Sequence, residues 1–239
     1  MSTILKMHNP TISMRIYGFI FAIILNILPT WAQETREQFR DSLKAATELL
    51  AYHPDSTDLQ LRKAGWNIQL EQWDYAKNEY DKILAREPYN LSARYYRAFV
   101  NEKLHRYPFA RLDYEAVLTI VPSNFEALLG IALLNQKDGR QTEAYNQINQ
   151  LVAMNPDSAV AYAARAGIEK ERQMLSLAEN DYEAACQRDP LNVDYRLNRV
   201  ELLVLLKRPE DARAQLDILS KQGIPQSVLV PWYRRIRKK

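Results

Sequence analysis

The chain has 239 residues, 47% of them hydrophobic and 26% charged, with a formal net charge of +3. A balance so close to neutral gives no general electrostatic case for nucleic acid. Cys186 is the only cysteine, which excludes an internal disulfide framework and leaves the fold to be held by its core.

From the N-terminus, Lys6 and Arg15 are the only charges before Glu34. An apolar run over 16–25 follows and is closed by Leu28; then come Pro29, Thr30, Trp31 and Ala32. That order of basic, apolar and small residues predicts a secretory signal over 1–32, cut after Ala32, with Met14 as an alternative start. Asn26 interrupts the run, which is short for a membrane span; an uncleaved N-terminal anchor is the other reading. No cysteine stands near the cut, so a lipid-anchored export signal is not expected. Cleavage removes Lys6 and Arg15 and no acid. A cysteine-poor exported chain fits a bacterial periplasm or cell surface better than a eukaryotic secretory route.

Residues 33–56 hold one unpaired helix, expected over 36–52 and stopped by Pro54, which makes an N-terminal cap. From there the chain repeats. Prolines fall at 54, 88, 122, 156 and 190, each 34 residues after the last. Alanines fall at 76, 110, 144, 178 and 212 in the same register. A second small column runs Ala64, Ala98, Ala132, Ala166, then Val200, and a large one runs Tyr80, Tyr114, Ile148, Tyr182, Leu216. Small residues let two antiparallel helices approach, the large residue four positions after the alanine fills the space beside them, and the proline stops the second helix. Ser56, Asn90, Asn124, Ser158 and Asn192 then cap the next first helix, with Asp58, Glu126 and Asp194 in its first turn.

These columns divide 57–224 into five units, 57–90, 91–124, 125–158, 159–192 and 193–224. First helices are expected near 57–70, 91–104, 125–137, 159–172 and 193–207. Second helices are expected near 74–86, 108–120, 142–154, 176–188 and 210–221. After Gly223 the register breaks, and 225–239 predicts a terminal capping helix with a basic tail.

The Ala/Ala/Tyr/Pro set, with Trp73 and Tyr107 at the aromatic place of the inter-helix turn and Gly139 at its glycine place, resembles the tetratricopeptide repeat family. The resemblance covers 57–224 and implies an all-α, right-handed α-solenoid of helix-turn-helix repeats. The chain departs from the family pattern at Gln60 and Arg94, where tryptophan is frequent, and at Asn67, Asn101 and Asn135, where tyrosine is. Ile224 occupies the last proline place and Pro225 follows. Packing in the first two units is expected to be less regular for that reason.

Catalytic chemistry is not expected, nor any metal site or cofactor. His53 and His105 lie in different units, no carboxylate or cysteine cluster has metal spacing, and the scattered glycines form no phosphate loop. Cys186 falls on a buried helix face as a small core residue. Asn90-Leu91-Ser92 is a glycosylation sequon in which Asn90 doubles as a helix cap.

The resemblance further implies that first helices line a concave surface and places Tyr95, Phe99, Glu102 and Lys103 on it in the second unit. It places Glu126, Leu129, Leu133, Gln136 and Lys137 there in the third unit, and Ala163, Gly167, Lys170 and Glu171 in the fourth. In the fifth it places Asp194, Leu197, Glu201 and Leu205. Tyr95, Phe99, Leu129 and Leu133 form an apolar-aromatic strip edged by charge, suited to an extended peptide or an amphipathic helix. The competing reading is that Phe99 and Leu133 pack only between neighbouring first helices. Family members that clamp a C-terminal carboxylate need polar residues where this chain has Leu61, Tyr95, Leu129, Ala163 and Leu197, so that subtype is excluded. The tail residues Arg234, Arg235, Arg237, Lys238 and Lys239 are either a solvated helix end or a contact for anionic lipid or an acidic partner. The function expected is an exported, non-enzymatic adaptor holding a protein partner in its groove. The alternative is an assembly subunit packing through its convex face or ends.

Overall fold

We describe residues 30–237 of a computed structural model, with side chains from Thr35 onward. The expected signal lies outside them except at its very end, and Lys238 and Lys239 lie outside as well. The described residues form helices and no strand. An N-terminal helix, α1 (Thr30–Tyr52), is followed by α2 (Thr57–Gln69) and α3 (Trp73–Arg86), then α4 (Leu91–Lys103) and α5 (Tyr107–Ile120). Next come α6 (Phe125–Lys137) and α7 (Gln141–Met154), α8 (Ala159–Glu171) and α9 (Leu175–Arg188), and α10 (Val193–Leu205) and α11 (Pro209–Lys221); α12 (Gln226–Arg237) ends the chain. α1 begins at Thr30 rather than at 36, because Ala32, Gln33 and Glu34 are helix formers with no breaker among them.

Each repeat starts and stops by the same local chemistry. The side chains of Ser56, Asn90, Asn124, Ser158 and Asn192 accept from the backbone N–H three residues on, at 2.8–3.4 Å. Asn90 also donates its Nδ2 to Glu87 at 2.8 Å, so its amide is spent on the cap. First helices close in a Schellman turn, in which Gln72, Arg106, Arg140, Met174 and Arg208 each donate to the carbonyl five residues back at 2.8 Å. The residue between must take a left-handed conformation. Gly139 does so at φ 75°, but Glu71, His105, Gln173 and Lys207 are held there at φ 56–61°. The second helices follow at once and begin one residue before the expected starts, at 73, 107, 141, 175 and 209.

The unexpected residues at the tryptophan place have a job. Gln60 Nε2 donates to the Pro54 carbonyl at 3.2 Å, Arg94 Nε to that of Pro88 at 2.8 Å, and Arg196 Nη2 to that of Pro190 at 3.2 Å. A helix end leaves carbonyls without intrahelical partners, and these side chains meet one of them.

The small columns sit at the helix crossings as expected: Ala64, Ala98, Ala132, Ala166 and Val200 are fully buried, as are Ala76, Ala110, Ala144, Ala178 and Ala212. Tyr80, Tyr114 and Ile148 are buried beside them, each contributing about 1.5–3 kcal/mol of apolar burial. Gly130 is required by this packing, since a Cβ there would lie 2.5 Å from Tyr114 Cζ. Along the stack α4 touches α6 and α6 touches α8, while no comparable contact joins α3 to α5 or α5 to α7. First helices therefore crowd on one side and second helices splay on the other, which makes an inner face and an outer one. α12 packs on α11 through Leu229, Trp232 and Tyr233 and closes the last apolar face.

Candidate partner-binding site

The inner face carries an aromatic patch centred on the second repeat. Phe99 of α4 meets Trp73 of α3 edge to face, with ring centroids 6.3 Å apart. Lys103 Nζ lies 5.2 Å from the Phe99 centroid and 5.8 Å from that of Trp73. Both rings are half-buried, packed in part against the core of the first two repeats. Trp73 had been placed only in the turn; it reaches the patch because its helix starts there, directly behind the Schellman turn.

The expected strip is not continuous. Leu129 is 2% exposed and belongs to the core with Ala132 and Ile148, so it is removed from the groove. The reason is its place on α6, where it packs with Ala144, Ile148 and Leu151 of α7 and Ile168 of α8. Tyr95 is half-buried, tilted against Tyr114 at 5.9 Å, and burial pushes its phenol well above the usual range. Leu133 is half-buried against the core of the third and fourth repeats, and Gln136 is half-buried beside it.

The charges at the groove edge are engaged with the protein itself. Glu102 accepts from the Tyr114 hydroxyl at 2.6 Å and pairs with Lys137 of the next repeat. Lys170 pairs with Glu201 at 2.6 Å, and Glu201 lies 3.8 Å from Arg235 of the tail. Arg235 also sits over Trp232 at 5.6 Å. The tail cation Arg235 thus reaches back onto the solenoid while remaining exposed, as Arg234 and Arg237 are.

Two glycines bracket the patch. Gly65 and Gly167 share the Phe99 place in the first and fourth repeats, and a Cβ added to either meets nothing within 4 Å. Glycine inside a helix costs about 1 kcal/mol relative to alanine. No packing within the chain requires it at these two places.

A second network escaped the sequence reading. Lys63, Arg97, Arg165 and Arg199 form a basic column at the repeat spacing, with Ile131 in the third unit. Lys63 Nζ lies 2.9 Å from Glu79 Oε1. Arg97 donates to Asp113 at 2.7 and 2.8 Å and to Asp81 of the preceding repeat at 2.8 Å. Arg165 does the same with Asp181, at 2.5 and 2.7 Å, and with Asn149 at 3.1 Å. The signal in the sequence is an acid 16 residues after the base in three units.

Beside this seam Glu169 is 3% exposed, with Oε1 accepting from the Tyr145 hydroxyl at 3.2 Å and Oε2 buried without a partner. Burial and the neighbouring Asp181 carboxylate raise its pKa to about 7, against the pull of Tyr145 and Arg165. Cys186 is buried, and desolvation pushes its thiol up, as suits a packing residue. Among the described residues no three His, Cys, Asp or Glu side chains converge as a metal site. No described helix is long and apolar enough to cross a membrane.

The tetratricopeptide repeat family model matches residues 171–223. No curated protein matches the sequence. Among solved structures, the chain is similar to a tetratricopeptide repeat protein from Parabacteroides merdae, at 20% identity and TM-score 0.72, covering 87% of this chain and 81% of that one. It is similar to a thermophilic protein of the same kind from Thermus thermophilus, at 17% identity and TM-score 0.63, covering 72% and 94%. It is also similar to pilF of Pseudomonas aeruginosa, at 16% identity and TM-score 0.62, covering 87% and 93%. At these identities the likeness establishes the solenoid.

Proposed function

We propose that this chain, a solenoid similar to tetratricopeptide repeat proteins, is an exported, non-enzymatic adaptor that holds a peptide or helix of a protein partner on its inner face. The observation that carries this reading is the half-buried Trp73–Phe99 pair under Lys103, with bare helix backbone at Gly65 and Gly167 in the same register. Aromatic faces supply contact area at little conformational cost, and a glycine lets another backbone approach closely. An extended segment or an amphipathic helix meets both conditions. Arg234 and Arg237 are proposed as a weak, salt-sensitive contact for an anionic surface or an acidic partner. Export rests on residues 1–32, and N-terminal sequencing of the mature protein is expected to begin at Gln33.

Crosslinking on the native envelope fraction, followed by mass spectrometry, tests the adaptor role. Phe99→Ala with Leu133→Ala is expected to abolish the crosslinked partner. Gly167→Leu adds a side chain where a Cβ meets nothing within 4 Å, so it is expected to block the partner without lowering thermal stability. Full retention of every partner by both variants would sink the inner-face reading.

A further inference from the structure

On the outer side the splay of α3 from α5 opens a groove of about 380 Å³, floored in part by Asn101 of α4. Asn101 is 2% exposed, and its Oδ1 is buried with no hydrogen-bond donor. A buried acceptor left unmade is costly, and native proteins leave few of them. The equivalent place is filled in the next two repeats. Arg111 donates to Asn135 Oδ1 at 2.7 Å, and the Tyr145 hydroxyl donates to Glu169 at 3.2 Å. Each donor lies 24 residues before its acceptor, on the second helix of the preceding repeat. The residue in that place for Asn101 is Lys77, but its ammonium is drawn to Asp81 on its own helix, 2.6 Å away. The slot has lost its internal donor, and the acceptor is left unpaired at the floor of the groove.

We propose that this outer groove receives a tyrosine side chain presented by a partner protein, its hydroxyl donating to Asn101 Oδ1 and its ring lying against Phe109 and Leu112. The neighbouring repeats show which donors fit the slot: a guanidinium in one and a phenol in the other. Charge selects between them. Lys77, Arg97 and Arg106 line the groove together with Asp81 and Asp113, and both acids are already paired, Asp81 with Lys77 and Arg97 and Asp113 with Arg97. Arg106 in turn pairs with Asp74 at 3.4 Å, so an incoming cation would find no unpaired acid in the groove, whereas a neutral phenol brings the donor alone. Phe109 and Leu112 are 60% and 62% exposed, an unusual pair of large apolar side chains at the rim of a polar floor. They supply the apolar wall that an aromatic ring needs. The site lies across the solenoid from the Trp73–Phe99 patch, so occupancy of one leaves the other accessible.

The test is an NMR titration of the isotope-labelled protein with N-acetyltyrosinamide, set against N-acetylphenylalaninamide. The tyrosine probe is expected to give saturable shifts at the Asn101 side-chain amide, Phe109 and Leu112. The phenylalanine probe, lacking the donor, is expected to bind at least about tenfold more weakly. Asn101→Leu is expected to erase that difference, and Lys77→Arg to block the probe by donating from within, as Arg111 does in the next repeat. Phe109→Ala, at an exposed position, leaves the fold intact and is expected to weaken the tyrosine probe. Equal binding of the two probes, unchanged affinity in Phe109→Ala, or saturable shifts confined to Trp73 and Phe99 would overturn the proposal.

Discussion

The third repeat has Ile131 where the fourth has Arg165, and the two repeats join their neighbours differently as a result. Ile131 is 6% exposed and packs with Tyr114, Val117 and Leu134, so at this position the seam is held by apolar contact, with ion pairs only at its edges. Arg165 instead spans three helices, reaching Asn149 on α7 and Asp181 on α9 from its own place on α8. The turns differ as well: Gly139 sits in the left-handed conformation of the third repeat, whereas Gln173 is forced into it in the fourth. One backbone plan therefore tolerates two chemistries at the seam. An apolar seam is insensitive to pH and local in effect. A charged seam is sensitive to the loss of any one member, because the groups left behind are buried.

The sharpest way to break the contrast is Arg165→Ala. It strands the Asp181 carboxylate, 7% exposed, beside Glu169, and is expected to cost about 3 kcal/mol by urea denaturation. Ile131→Val in the third repeat is expected to cost only about 1 kcal/mol. Equal losses would mean that the charged seam carries no special weight.

Gly130→Ala comes next. The added methyl would lie 2.5 Å from the buried Tyr114 ring, an overpacking expected to cost about 1–3 kcal/mol. Gly167→Ala in the fourth repeat meets nothing and is expected to stabilise by about 0.5–1 kcal/mol. The two melting temperatures, compared with wild type, check both signs at once.

A third test is acid–base. The folded pKa of Glu169, about 7, lies above its ordinary value of 4.5. The native state therefore holds a proton that the unfolded chain has released between those values, and the associated stability falls as pH rises through about 7. Glu169→Gln keeps the shape without the charge and is expected to raise stability by about 1–2 kcal/mol above pH 7, with little change near pH 4. A variant whose gain does not depend on pH would place the ionisation elsewhere.

The smallest expected effects exchange the turns. Gln173→Gly should stabilise by up to about 1 kcal/mol, and Gly139→Ala should destabilise by about 1–2 kcal/mol, since only glycine takes positive φ at no cost. Thermal melts of the pair check whether the turn of the fourth repeat is strained.

Much of this molecule is legible along the chain, because the determinants are local. A proline stops a helix, an asparagine or serine caps the next, and small residues mark the crossings; each acts within a few residues, so the 34-residue register places helices closely. Phe99 was a groove candidate only through the family resemblance, which supplies what the register alone does not: which places in a unit face inward. The burial of Leu129 was not legible, because it depends on how closely α6 approaches the helices packed over it. Nor were the pairings of Arg97 and Arg165, or the unpaired acceptor at Asn101. Those depend on which of several acceptors within reach captures a cation: Lys77 goes to Asp81, Arg111 crosses to Asn135 and Asp138, and nothing in the periodicity of the two repeats separates these outcomes. The sequence by itself determined the repeat, its starts and stops, and the buried columns. Only the tertiary structure decided the inner and outer faces, the chemistry of each seam and the gap left on the outer side, because these arise from competition between long side chains across helices remote in sequence.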